Sequence, residues 1–197
     1  MPWRKLDEDG EIEGLNAGSI PVVENYVARL NGAGQGWLLS GQIQLFAGYT
    51  VEIETMFVTD FSNIKALFTP GGTAYLPQIG GVETTTYRRG GGSAAAEASV
   101  DGDISESNPY FPYDGGLHKI VFTAARDIEI GAIGYDLNNA GRNVDGALMR
   151  FVVKDELGNT LNSIPLTNKE QGATQLQEAG SVTATMIDYN ETVWEKL

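Results

Sequence analysis

The sequence predicts an all-β fold, a two-sheet antiparallel β-sandwich, and three observations carry that expectation. Apolar and polar residues alternate over short runs, most cleanly in Tyr49-Thr-Val-Glu-Ile-Glu-Thr-Met-Phe57. There Tyr49, Val51, Ile53, Thr55 and Phe57 fall on one face, and Thr50, Glu52, Glu54 and Met56 on the other. A period of two sustained over that length marks a half-buried antiparallel strand. Turn-forming residues separate the runs, and many of the 25 glycines lie between short apolar segments, as a fold with many tight turns requires. No stretch carries a convincing amphipathic helical period, so strands must supply the layers that bury the core.

Taken in order, residues 1 to 25 stand apart. Asp7, Glu8, Asp9, Glu11 and Glu13 crowd a segment without sustained periodicity. It reads either as a solvated tail or as an extended arm whose Trp3 and Leu6 dock on a neighbouring subunit or partner. The sandwich is expected over residues 26–197, as one domain. Its strands are expected at Tyr26 to Leu30, Trp37 to Leu45, Tyr49 to Val58, Ile64 to Phe68, Tyr75 to Ile79 and Val82 to Arg88. After Gly90-Gly-Gly92, Ser93 to Val100 extends as a strand in preference to a helical turn. Residues 101–116 read as a loop centred on Asn108-Pro-Tyr-Phe-Pro-Tyr113, followed by strands at Leu117 to Thr123 and Asp127 to Tyr135. A polar loop then leads into the long run Gly146 to Asp155, an Asp-Glu-Leu-Gly-Asn turn, a strand from Thr160 to Pro165 and another from Val182 to Ile187. An aromatic residue three positions from the end, Trp194, predicts that the C-terminus is tied back onto the domain.

Composition narrows the function classes. At 197 residues with 42% hydrophobic and 20% charged residues, the chain is an ordinary globular protein with enough length for one buried core. A formal charge of −13 argues against nucleic acid and against anionic membrane surfaces, because phosphate binding needs a basic face. The absence of cysteine removes disulfide frameworks, thiolate zinc sites and cysteine nucleophiles together. The first residues contain no apolar core of signal-peptide length and no later run could span a bilayer, so synthesis in a cytoplasm is expected.

Several segments together resemble the concanavalin A-like, laminin G-like jelly-roll domain. Tyr49 to Phe57 is similar to that family's early core strand, and Gly116-Leu-His-Lys-Ile-Val-Phe-Thr123 resembles its strand in which a His precedes alternating apolar residues. Ile130-Gly-Ala-Ile-Gly134, a polar loop, and Asp145-Gly-Ala-Leu-Met-Arg-Phe-Val-Val153 are similar to its closing pair, although Val144-Asp145 stands where the family usually has an aromatic. The ending, Ser163-Ile-Pro-Leu-Thr167, a glycine-bearing insertion, then Met186 to Glu195, resembles lectin-like modules of bacteriophage virions. The resemblance spans residues 26–197. It implies a concanavalin A-like jelly-roll sandwich with an N-terminal arm, in a virion protein such as a tail-fibre or tip component or a head decoration.

The chemistry-bearing residues give no catalytic pattern. Glycosidases on this type of sandwich use paired carboxylates, and Glu52 and Glu54 share a strand face. The family's hydrolytic pattern is Glu-x-Asp-x-x-Glu, however, and Glu52-Ile-Glu-Thr-Met-Phe57 lacks the third carboxylate. A solvated strand face accounts for both. His118 is the single histidine; no strained nucleophile lies near Ser93, Ser99 or Ser105, and His118 reads as a packed or rim residue at its strand's start. Calcium remains open: Asp101 and Asp103 alternate with non-ligands, as hard cations require, and Asn138, Asn143 and Asp145 make a second oxygen-rich loop where related lectin-like domains hold calcium beside sugar. Each also reads as an ordinary turn.

The remaining candidates concern binding. Tyr110, Phe111 and Tyr113, with Asn108 and Asp114 beside them, suit stacking on a sugar, an oligomer or partner interface, or packing on their own domain. Arg88 and Arg89 form a lone basic spot on an acidic chain, suited to an acidic neighbour such as another subunit's arm. The expectation is a non-enzymatic virion structural or adhesion protein, made in the host cytoplasm. It would meet other virion proteins, form a homo-oligomer, with a trimer favoured under cyclic symmetry, and, in the alternative reading, bind host surface glycans.

Overall fold

In the computed structural model, the described residues are 25–57, 65–70, 78–79, 87–88, 95–103, 112, 114–137 and 143–197. The strands are β1 (Tyr26–Asn31), β2 (Gly36–Leu45), β3 (Thr50–Met56), β4 (Lys65–Ala66), β5 (Phe68–Pro70), β6 (Gln78–Ile79), β7 (Tyr87–Arg88) and β8 (Ala95–Val100). They continue as β9 (His118–Ala124), β10 (Ile128–Ile133), β11 (Asp145–Lys154), β12 (Thr160–Pro165), β13 (Thr174–Gln175), β14 (Ala184–Ile187) and β15 (Trp194–Lys196). Two antiparallel sheets pack face to face. The larger runs β15-β1-β11-β3-β9-β8, with β12 also paired to β11; the smaller runs β13-β14-β2-β10-β5. A short ribbon, β4-β6-β7, stands beside them. The all-β sandwich expected from the alternating pattern is therefore present.

Alternation places the core. In β3, Val51, Ile53 and Thr55 are buried while the residues between them are half-exposed, as the sequence predicts. Phe122 of β9 and Phe151 of β11 reach across to Phe68 of β5 in edge-to-face contacts of 5.4 and 6.0 Å between ring centroids. These rings join the two sheets, in the geometry aromatic pairs prefer.

The run from Gly146 to Asp155 is the centre of the large sheet, not its margin. Strand β11 pairs with β3 along one side; its other side is shared by β1 near residues 145–147 and by β12 over residues 150–154. A register shift between Leu148 and Arg150 lets Leu148 and Phe151 both enter the core, although their odd spacing would place them on opposite faces of a regular strand. Gly146 opens this strand at φ 139, and a β-carbon there would come within 2.2 Å of the Phe57 ring. Only glycine admits that approach.

The C-terminus is tied back as expected. β15 pairs with β1, Trp194 is buried, its Nε1 donates to the Tyr189 hydroxyl at 3.1 Å, and the Leu197 amide donates to the Asn25 carbonyl at 2.9 Å. Arg29 and Glu195 pair across the same two strands at 2.5 Å. No described helix is long and apolar enough to cross a membrane.

Candidate functional site

Two polar constructions stand out, one on the outer face of the large sheet and one at its rim. The first is built by register. Glu52 on β3 lies opposite Val152 on β11, and Val152 lies opposite Ser163 on β12. Arg150 and Lys154 flank Val152 on the same outer face, because side chains two apart along a strand point the same way. The loop after β13 closes one side: the Glu178 amide donates to the Ser163 carbonyl at 2.7 Å, and the Ser163 amide donates to Ala179 at 3.1 Å. Nearby, the buried Gln175 side chain accepts from the Asn168 amide and donates to the carbonyls of Asn168 and Gly172, which stitches the insertion into a defined shape.

The result is a shallow groove of about 330 Å³, with Val152 on its floor and Glu52, Arg150, Lys154, Thr160, Ser163 and Glu178 around it. Its charges are paired. Lys154 Nζ reaches Glu52 Oε1 at 2.6 Å, and Lys119 approaches the other carboxylate oxygen at 3.8 Å. Arg150 bonds both the Ser163 hydroxyl, at 3.0 Å, and the Glu178 carboxylate, while Ser163 Oγ donates to Glu178 Oε2 at 3.0 Å. Glu54 lies in register between Lys119 and Arg150. Glu52 and Glu54 thus belong to a lattice of alternating charge across three strands, the cross-strand pairing that stabilises a solvated sheet face.

The second construction is centred on His118. It opens β9 on the inner-face side, where the sheet meets solvent, and its ring is held between two carboxylates: Nδ1 to Asp101 Oδ2 at 2.6 Å and Nε2 to Asp114 Oδ1 at 2.9 Å. Asp101 sits at φ 51 in the turn after β8, beside Gly102 at φ 85. Its second oxygen accepts from the Lys119 amide at 2.8 Å. Asp114 accepts from the Gly116 amide at 2.7 Å. Burial pushes the His118 imidazole down, but Asp114 and Asp101 outweigh it and hold the pKa above its ordinary value. Burial likewise pushes Asp101 up, yet the Lys119 amide and His118 hold it below the usual carboxylate value. Asp114 is lowered chiefly by its bond to His118. Two ionised carboxylates, one at each ring nitrogen, favour the doubly protonated imidazolium, which alone can donate to both.

The other sequence-predicted residues separate. Trp3, Leu6, Arg89, Asn108, Tyr110, Phe111, Tyr113 and Asn138 lie outside the described residues, as do Ser93 and Ser105. Ser99 is buried in β8, and Arg88 is placed by backbone alone, paired with Gln78 of β6. Of the calcium candidates, both Asp101 oxygens have the partners given above. Asp103 closes the turn with Val100. Asn143 is fully buried, accepting from the Asp136 amide at 3.0 Å and donating to Ala33 at 2.7 Å. Asp145 is exposed at the start of β11. Among the described residues no group of three or more histidine or carboxylate side chains is placed to hold a metal.

Sequence reasoning missed the groove's second wall and the His118 bridge. Glu178 and Ser163 carry no local signal, since they meet Arg150 only through sheet register. Asp114, four residues from His118, could have been suspected as its partner. No protein-family model, no curated protein and no solved structure matches the chain.

Proposed function

We propose that the protein is a non-enzymatic structural or adhesion component of a bacteriophage virion, in the tail or on the capsid surface, docking through its N-terminal arm and the edges of its sandwich. The resemblance of residues 26–197 to concanavalin A-like jelly-roll modules of virions motivates this reading. The observation that supports it is where residue 25 lies: the Asn25 carbonyl accepts from the Leu197 amide, and β1 pairs with β15, so the arm's attachment point is held in the large sheet. A homo-oligomer, with a trimer favoured, belongs to the same reading.

Deleting residues 1–24 tests it. The truncated protein should fold and stay soluble yet no longer attach to particles, scored by its presence in purified virions. Normal incorporation would overturn the docking role of the arm.

A second reading, a carbohydrate-binding module for host surface glycans, is favoured by the groove on the outer sheet face. A small concavity where several polar side chains converge is one feature of ligand sites, here with a mostly polar lining. Hydrolysis is not part of this reading: the Glu52 carboxylate is engaged by Lys154 and Lys119, and the third carboxylate of the hydrolytic pattern is absent from its strand.

A further inference from the structure

We propose that the groove formed by β3, β11, β12 and the 178–179 turn binds an uncharged sugar residue, with Arg150, Ser163 and Glu178 as one anchor and Glu52 with Lys154 as the other. The inference rests on the carbohydrate-binding reading and names its site and ligand class. The first consideration is charge. The protein carries −13 overall, yet the groove balances two cations against two carboxylates, each joined in the bonds described above. An anionic ligand finds no unneutralised cation there, and a cationic ligand must compete with the lysine and arginine already seated on the carboxylates. A neutral polyol meets neither penalty.

The second consideration is hydrogen bonding. A sugar hydroxyl donates and accepts at once, so it fits best between an ionic donor and an ionic acceptor held side by side. The groove offers two such pairs, Arg150 with Glu178 and Lys154 with Glu52, and Arg150 keeps further guanidinium N–H groups beyond those already bonded. Bonds to ionised partners are about twice as strong as neutral ones. The Arg150 and Glu178 side chains are 40% and 49% exposed, which leaves them reachable. Ser163, by contrast, is 3% exposed and fixes the geometry of both. Val152 lies between the anchors but is only 8% exposed, so the two donor–acceptor pairs carry the recognition. A volume of about 330 Å³ lies at the small end of ligand sites, suited to a terminal or single residue more than to a long chain.

The test uses the full-length protein on an array of neutral, uronic-acid-bearing and sulfated glycans, alongside Glu178→Gln and Ser163→Ala. The expected result is binding of neutral glycans by the wild type, weakened about tenfold in Glu178→Gln, the effect of losing one charge-assisted bond, and weakened in Ser163→Ala through the loosened Arg150–Glu178 geometry. Glu178→Gln keeps the shape of the side chain and lies on an exposed turn, so a folding failure of Ser163→Ala leaves it to decide. Neutral-glycan binding that both variants retain would place the sugar elsewhere, overturning this site while leaving the carbohydrate reading in place. Binding confined to acidic glycans would overturn the ligand class. A silent array would remove the carbohydrate reading and this inference together.

Discussion

The two faces of the large sheet use the same three strands for opposite purposes. On the inner face, Val51, Ile53, Phe122, Phe151 and Val153 are all but inaccessible and pack against the smaller sheet. On the outer face, Glu52, Glu54, Lys119, Arg150 and Lys154 alternate in sign across strands and remain at least partly exposed. Burial of apolar area stabilises strongly and without direction. Ion pairs in contact with water contribute little to stability but present directed donors and acceptors. One face therefore holds the fold, and the other is free to carry recognition.

Substitutions can break or sharpen this contrast. The largest effect is expected from Phe151→Ala, which empties a buried ring site facing Phe68; a loss of about 3–5 kcal/mol should appear in denaturant unfolding. Next is Gly146→Ala, whose new methyl group would meet the Phe57 ring in a backbone conformation that disfavours side chains. A destabilisation of about 1–3 kcal/mol is expected, and an unchanged midpoint would mean that β11 enters the sheet by another path.

His118 lies where the two faces meet, and its effect should depend on pH. Its pKa is raised above 6.5, so the stability it contributes is complete below about pH 6.5 and is lost as pH rises through the raised value. Asp101 and Asp114 are held below 3.8; their contribution is present above about pH 3.8 and disappears as pH falls through the depressed values. The bridge should be strongest between those limits. The difference in melting temperature between wild type and Asp114→Asn should therefore peak in that window and shrink as pH rises through the raised His118 value. NMR titration of the single histidine gives an independent reading, with its pKa expected to fall in the variant.

The smallest effect belongs to the outer face. Lys154→Met should change stability by no more than about 1 kcal/mol, while weakening any ligand held at the Glu52 end of the groove. A large destabilisation would show that the outer charges support the fold after all.

Parts of this division were legible in the residue order. The alternation of Tyr49 to Phe57 and of His118 to Phe122 assigns each residue to its face without any knowledge of neighbours, and Trp194 announced a docked C-terminus. The path of β11 was not legible, because its register shift places Leu148 and Phe151 on one face against the period-two rule. Nor was the groove, since Arg150 and Glu178 are far apart in the chain. The bonds of the two Asp101 oxygens to His118 and the Lys119 amide were not legible either, because they join the turn after β8 to the start of β9.

What the sequence determined by itself is the all-β sandwich class and, in strands of regular register such as β3 and β9, the face on which each residue lies. Both follow from a local cause, the alternation of side chains along an extended backbone. What only the tertiary structure decided is which outward-facing residues meet. The order and register of the strands set that, through long-range pairing to which the local pattern is indifferent.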